Sequence, residues 1–197
     1  FRRVLFRSVL VGDSQVGKTC VLTRLTMNTF QTSNPATIGA AYKGYKISTE
    51  KGTVDLQLWD TAGQEKFKTL APMYYRSAEA ALVFFDITNL TSFQSLDSWI
   101  TEIEEKGGDN IHVYVVGNKC DMDSQRVISK EDAKELVFSH NCEGYFETSA
   151  KTGEGVLDLF IKVAECASEL HPNQEKKENV VDVTSSTANN DESGCKC

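Results

Sequence analysis

GDSQVGKT, residues 12–19, fits the pattern Gly, four residues, Gly-Lys-Thr. The apolar run Val9-Leu10-Val11 precedes it and the helix-forming Cys20-Val21-Leu22-Thr23-Arg24-Leu25 follows. Strand, glycine-bearing loop and helix are the context that a phosphate-binding loop requires. Without Cβ atoms at Gly12 and Gly17 the backbone can fold around phosphate oxygens. Successive N–H groups then point inward as an anion nest, reinforced by the positive end of the helix. Lys18 is placed to reach the terminal phosphates, and the Thr19 hydroxyl to hold Mg²⁺.

Length and composition narrow the setting. A chain of 197 residues predicts one domain with a tail, and 40% hydrophobic residues suit a globular core. The formal net charge of −7, with no basic cluster to offset it, argues against a nucleic-acid surface. No apolar run approaches the ~20 residues of a membrane span. The chain opens at Phe1 rather than Met, as a fragment or a processed chain would, and its first apolar stretch is too short for a signal peptide. Of the six cysteines, Cys20, Cys120, Cys142 and Cys166 show no metal-ligand spacing and read as buried, reduced thiols of a cytosolic protein.

Taken in order, Val4 to Val11 predicts the first strand, buried on both faces at its apolar end. A helix is expected over Gly17 to Met27, then a loop from Asn28 to Gly39. Tyr42–Thr49 reads as an edge strand, Glu50–Thr53 as a hairpin turn and Val54–Trp59 as the returning strand. Asp60–Met73 lacks periodicity. Ala80–Phe85 is a buried strand ending at Asp86. Thr91 and Gln94 suggest a capping box for a helix carrying Phe93, Leu96, Ile100 and Ile103, stopped by Gly107-Gly108. Val113–Val116 is another buried strand. Ser129 caps a helix to about Phe138, Tyr145–Thr148 is a short strand, and Val156, Phe160, Val163, Ala164 and Ala167 define a last amphipathic helix ended by His171-Pro172. Strands alternating with helices predict an α/β fold, a doubly wound and mostly parallel sheet, with ligands at the carboxyl ends of its strands. The domain is therefore set at residues 1–172. From Asn173 to Cys197 the chain is polar and lacks aromatics, the composition of a disordered tail.

The remaining polar signals fall near strand ends. Asp60-Thr61-Ala62-Gly63-Gln64-Glu65 offers a carboxylate for Mg²⁺, a Gly63 N–H for a γ-phosphate and a Gln64 amide to orient an attacking water. Asn118-Lys119-Cys120-Asp121 offers a carboxylate that accepts from the guanine N1–H and 2-amino group. Adenine lacks both, so a polar site of this kind discriminates by about 10⁴ or more. Asn118 is placed to contact the base and to tie this loop to the phosphate loop. Ser149-Ala150-Lys151 can supply backbone contacts to the guanine oxygen and a lysine stem over the base. Thr37 can complete the Mg²⁺ shell, and Phe30 can pack edge-on against the base. The order of these elements along the chain carries the reading more than any one of them.

With these motifs in place, the chain resembles the Ras superfamily of GTPases, and within it the Rab family, over about Phe6 to Leu170. The Rab-like features are TIGAAY (Thr37–Tyr42), LQLWDTAGQEKF (Leu56–Phe67), MYYRSA (Met73–Ala78) and FFDITN (Phe84–Asn89). The resemblance implies a P-loop G domain with a six-stranded sheet, strand two antiparallel and helices on both faces. It implies that Ser14, Gln15, Val16, Gly17, Lys18, Thr19 and Cys20 surround the phosphates of GTP or GDP, with Phe30, Thr37, Gly63, Asn118, Lys119, Asp121, Ser149, Ala150 and Lys151 completing the nucleotide site. Thr19, Thr37 and Asp60 are the implied Mg²⁺ ligands, Gln64 the catalytic residue, and Tyr42, Trp59 and Tyr74 the aromatic effector triad. Two switch loops are implied over about Gln31–Gly39 and Thr61–Arg76. Cys195-Lys196-Cys197 is the Cys-x-Cys ending on which Rabs receive two geranylgeranyl groups. Implied partners are an exchange factor, a GTPase-activating protein, a GDP-dissociation inhibitor, a prenylation escort protein and vesicle-tethering effectors. The chain is expected to be a monomer of the cytoplasm that cycles to the cytoplasmic face of intracellular membranes, and TIGAAY resembles the early-endosomal subgroup.

Three departures stand out. Gln15 occupies a position where Rabs usually have Gly, Tyr42 replaces the usual Phe of the triad, and Ser8 puts a hydroxyl in an apolar strand. No Arg lies between Gln31 and Thr37, so a cis arginine finger is absent and unassisted hydrolysis is expected to be slow. Two rivals follow. An ATP-using P-loop enzyme is opposed by Asp121. A GTP-locked scaffold with impaired hydrolysis is opposed by Gln64 and left open by Gln15.

Overall fold

The structure, a computed structural model, describes residues 4–32, 35–63, 72–108 and 110–172. β1 (Val4–Gly12) lies inside the sheet because its side chains alternate between two apolar layers. Phe6 and Leu10 enter one cluster, Val9 and Val11 the other. Period-2 alternation with both faces apolar is what a strand covered on both sides requires. β3 (Gly52–Thr61) and β4 (Ala80–Asp86) flank it in parallel register. β5 (His112–Asn118) and β6 (Gly144–Thr148) continue the parallel run, and β2 (Ala40–Thr49) closes the other edge antiparallel to β3. The strand order is β2-β3-β1-β4-β5-β6, the expected six-stranded, doubly wound sheet.

Helices cover both faces. Val21, Leu22 and Leu25 of α1 (Lys18–Met27) and Leu159, Phe160 and Val163 of α6 (Val156–Leu170) pack on the Phe6–Leu10 face. On the other face lie Tyr75 of α2 (Pro72–Tyr75), Leu96, Trp99, Ile100 and Ile103 of α4 (Leu96–Lys106), and Ala133 of α5 (Lys130–Ser139). Ser129 caps α5 as expected, in a reciprocal box with Asp132.

Four expectations are corrected. The helix expected from Thr91 begins at Leu90 and divides into α3 (Leu90–Gln94) and α4. Its cap is Asn89, in extended geometry, whose side chain accepts from the N–H groups of Thr91 and Ser92 at 3.0 and 3.3 Å. The expected Thr91–Gln94 box is thus pre-empted by an acceptor placed two residues earlier. The hairpin turn is only Glu50-Lys51, since Thr49 pairs directly with Gly52. β3 runs past Trp59 to Thr61 because Ala41 and Leu10 both register with Asp60 and so pair the strand on each side. The stretch expected to be irregular through Met73 includes the start of α2 at Pro72. One unforeseen element, a 3₁₀ helix over Cys120–Gln125, follows β5. The expected tail, residues 173–197, lies outside the described residues.

Candidate nucleotide site

The site is built at the carboxyl ends of β1, β3, β5 and β6. Between β1 and α1 the chain turns through Gln15 and Gly17, both with positive φ (67° and 97°). Gly17 is required twice over. Its backbone is left-handed, and a Cβ there would lie 2.2 Å from Asn118 Nδ2. That amide donates to the carbonyl of Val16 at 2.8 Å, which gives the expected tie between the two loops. Asn118 Oδ1 accepts from Thr148 Oγ1 at 3.1 Å and Ala150 N at 3.4 Å, so one buried amide joins three loops.

Lys18 is buried. Its ammonium donates to the carbonyls of Gly12 and Asp13 at 2.7 and 2.8 Å. Burial lowers its pKa to about 8, opposed by the charges of Asp60 and Asp13. Asp13 is itself held from the far side of the sheet, where Trp99 Nε1 donates to Asp13 Oδ1 at 2.9 Å. Gly63 approaches the same turn so closely that a Cβ on it would meet the Asp13 carbonyl at 2.4 Å.

Beside Lys18 three oxygen-bearing side chains converge. Thr19 Oγ1 lies 2.9 Å from Thr37 Oγ1 and donates to Asp60 Oδ2 at 2.6 Å. Asp60 is buried at the end of β3, and its second oxygen, Oδ1, has no hydrogen-bond partner. Burial pushes its carboxyl above the ordinary range, against the Thr19 hydroxyl and the Lys18 charge. Hard oxygen donors with one orphaned buried carboxylate oxygen fit Mg²⁺.

At the opposite end, Asp121 Oδ1 accepts from Ser149 Oγ at 2.6 Å, and Lys151 Nζ lies 3.8 Å from Asp121 Oδ2. Lys119 also reaches this region from a left-handed backbone (φ 68°). One cleft of about 560 Å³ connects the two ends. Of the residues expected to surround nucleotide, Ser14, Gln15, Gly17, Lys18, Thr19, Cys20, Phe30, Thr37, Gly63, Asn118, Lys119, Asp121, Ala150 and Lys151 line it. Val16 and Ser149 do not. Val16 is packed in the core and offers its backbone, and Ser149 is buried behind Asp121. Gln64 lies outside the described residues.

These observations make a two-ended cleft, with lysine and oxygen ligands at one end and a braced carboxylate at the other. The family model described as the Ras family matches residues 7–169. The chain belongs to the Ras family. Its Rab branch supplies the relatives. Ras-related protein Rab-10 of Diplobatis ommata is 37% identical over 181 residues, 92% of this chain and 90% of the relative. Ras-related protein Rab-8B of Homo sapiens is 41% identical over 160 residues, 81% of this chain and 77% of the relative. Ras-related protein Rab-8 of Diplobatis ommata is 41% identical over the same length, 81% and 76% of the two chains. As a Rab-family GTPase the chain hydrolyses GTP to GDP and phosphate.

The three aromatic residues singled out by their Rab resemblance also come together. Tyr42 pairs with Trp59 across β2 and β3 with ring centroids 5.4 Å apart, and Trp59 lies 5.8 Å from Tyr74. The Arg7 guanidinium sits 4.6 Å from the Trp59 ring and donates to the Tyr74 carbonyl at 3.4 Å. Cys20, Cys120, Cys142 and Cys166 are half-buried reduced cysteines, not the buried thiols expected. No helix among the described residues is long and apolar enough to cross a membrane. Cys195 and Cys197 lie outside the described residues.

Sequence reasoning missed Arg24, Asp13, Trp99 and Asp86, which brace the loops from behind. It placed Gln31, Thr32, Pro35, Ala36 and Thr61 in the implied switch loops without assigning them to the cleft wall, and it missed Met122 there. The last group adjoins motif residues, and proximity to them was the available signal. Arg24, Trp99 and Asp86 carry none, because the partners they brace are distant in sequence, while Asp13 lies inside the GDSQVGKT stretch and was passed over.

Proposed function

We propose that this Rab-family chain is a GTP/GDP switch of vesicle trafficking that recruits effectors to membranes while GTP is bound. The observation that carries the reading is the single cleft, with Lys18, Thr19 and Thr37 at one end and Asp121, Ala150 and Lys151 at the other. Asp121 reads the guanine N1–H and 2-amino group, with Ser149 fixing the carboxylate. Lys18 and the turn from Ser14 to Cys20 hold the phosphates, Phe30 packs at the base edge, and Lys119 and Lys151 cover the base and sugar. Thr19, Thr37 and Asp60 would hold Mg²⁺, which neutralises charge on the β- and γ-phosphate oxygens. Gln64 orients the attacking water, and the Gly63 N–H faces the γ-phosphate. Thr37 and Gly63 sit in the two switch loops, so loss of the γ-phosphate releases contacts in both. Hydrolysis is slow without a partner, since no Arg is supplied in cis. Tyr42, Trp59 and Tyr74 present the effector surface.

A GTPase-activating protein, an exchange factor and a GDP-dissociation inhibitor set the cycle. An escort protein delivers the chain for attachment of two geranylgeranyl groups at Cys195 and Cys197. One chain gives marginal, reversible membrane binding and two give stable anchoring. The tail from Asn173 is net negative and gains nothing from anionic lipid, so the lipids alone hold it. The chain cycles between the cytoplasm and the cytoplasmic face of intracellular membranes, and the resemblance of TIGAAY (Thr37–Tyr42) to the early-endosomal subgroup points to endosomal membranes.

Single-turnover GTP hydrolysis with ATP as competitor tests the reading. Slow conversion of GTP to GDP that excess ATP does not inhibit is the expected result; inhibition by ATP overturns it. One observation favours a second reading, the GTP-locked scaffold. Gln15 lines the cleft from a strained left-handed backbone. The same assay separates the two, because a locked scaffold binds GTP without turning it over, and Gln15→Gly then restores hydrolysis.

A further inference from the structure

We infer that Asp86 is a positioning residue for nucleotide retention, acting by holding the Lys119 ammonium in place before and during binding. The inference rests on the proposed role of Lys119 at the nucleotide. Asp86 ends β4 in register with Asn118, the last residue of β5. Lys119 follows directly, and its left-handed backbone is a conformation that a residue with a Cβ does not adopt without support. The support is visible. The carbonyl of Lys119 accepts from Met122 N at 2.9 Å, and the carbonyl of Asn118 accepts from Ile87 N at 3.2 Å. The Lys119 ammonium lies 2.5 Å from Asp86 Oδ2.

The Asp86 carboxylate is built for that contact. Its other oxygen, Oδ1, accepts from Thr88 N at 2.9 Å and Thr88 Oγ1 at 2.7 Å, which fixes the plane of the group. Ser92 Oγ accepts from the Asp86 N–H at 3.0 Å and fixes the strand end. The carboxylate is 8% exposed and the lysine side chain 33% exposed, so the anion is walled in while the cation keeps one side open. Lys119 lines the cleft and Asp86 does not. Asp86 therefore touches no nucleotide and acts through the lysine. A free lysine has many rotamers to lose when it packs on a ligand. One already paired to a buried carboxylate loses fewer, and the difference appears as slower ligand release.

The test is a double-mutant cycle on release of fluorescent GDP from the full chain, using the parent, Asp86→Asn, Lys119→Met and the double variant. Asp86→Asn is expected to speed release about tenfold in the parent background, the scale of one charge-assisted contact, and to do almost nothing once Lys119 is Met. Equal acceleration in both backgrounds, or none in the parent, overturns the inference. Thr88→Val removes one bond to the same carboxylate but keeps its charge and the Thr88 N–H bond; it is expected to lower Tm and to speed release far less than Asp86→Asn does. If it speeds release as much as Asp86→Asn, local stability is the cause and the inference fails. Should Asp86→Asn not fold, Asp86→Glu carries the cycle, displacing the charge by one methylene with the same expected dependence on Lys119. A Lys119→Met variant that holds GDP as the parent does removes the role proposed for Lys119 itself. That outcome is distinct from additivity of the two changes.

Discussion

Arg24 Nε, on α1, donates a 2.8 Å hydrogen bond to the carbonyl oxygen of Ala150, on the loop after β6. The same guanidinium donates to the Lys151 carbonyl at 2.6 Å and to Asn28 at the end of its own helix. The helix that starts at the Gly12–Thr19 turn thus holds the Ala150–Lys151 loop at the other end of the cleft. Arg24→Ala is expected to speed GDP release about tenfold or more, since a hydrogen bond from a charged donor contributes about 1.5–3 kcal/mol before solvent exposure discounts it. Arg24→Lys, which keeps the charge but offers no planar fork, should recover only part of the loss. Dissociation of fluorescent GDP measures both; wild-type release from Arg24→Ala would show the clamp to be idle.

That clamp marks the limit of what the sequence disclosed. That Gly12–Thr19, Asn118–Asp121 and Ser149–Lys151 would share one cleft was legible because each is a contiguous run with its own local chemistry. Their order along the chain then placed them at strand ends. Arg24, Trp99 and Asp86 are single residues whose partners lie far along the chain, and nothing local distinguishes an exposed arginine from a bracing one. The helix cap failed for a related reason. Thr91-x-x-Gln94 and Asn89 both carry cap-forming chemistry, and only backbone geometry selects Asn89. Asp60 reads as a loop residue until β2 is seen to extend to Ala40 and pair the end of β3.

Ser8 illustrates a cost rather than a function. Its hydroxyl is fully buried on the face shared with Phe6 and Leu10 and has no hydrogen-bond partner. A buried donor left unpaired costs about 1–3 kcal/mol. Ser8→Ala removes the oxygen and little volume, so thermal unfolding should shift upward by about 2–4 °C for each kcal/mol recovered. A lower Tm would mean that the hydroxyl is satisfied.

A second stabilising device carries a pH signature. Arg126, just past the 3₁₀ helix, forms a bidentate pair with Glu147 at 2.7 and 3.0 Å, joined by Tyr145 Oη at 2.7 Å and Lys130 at 3.1 Å. Burial opposes ionisation of Glu147, but Arg126, Tyr145 and Lys130 outweigh it and hold the carboxyl below its usual range. A depressed folded-state pKa gives stability that is full above the unfolded value of about 4.3 and lost as pH falls through the folded value. Glu147→Gln should cost about 2 kcal/mol at pH 7. The gap from the parent should close as pH drops below about 4. Denaturant titrations at pH 7 and pH 4 and below check this; a gap that is constant with pH would assign the cost to packing.

The central claim is that Asp121 selects guanine for the cleft. Its Oδ1 is fixed by Ser149, so the carboxylate is presented in one orientation. Asp121→Asn offers an amide N–H₂ to the 2-oxo group that xanthine has and guanine lacks. The deciding measurement is competition among GDP, XDP and ADP for the parent and for Asp121→Asn. The parent should prefer GDP to both others, and the variant should shift its preference to XDP by a large factor, on the order of 10³ or more. A variant that still prefers GDP over XDP as strongly as the parent, or a parent that binds ADP as well as GDP, would contradict the account.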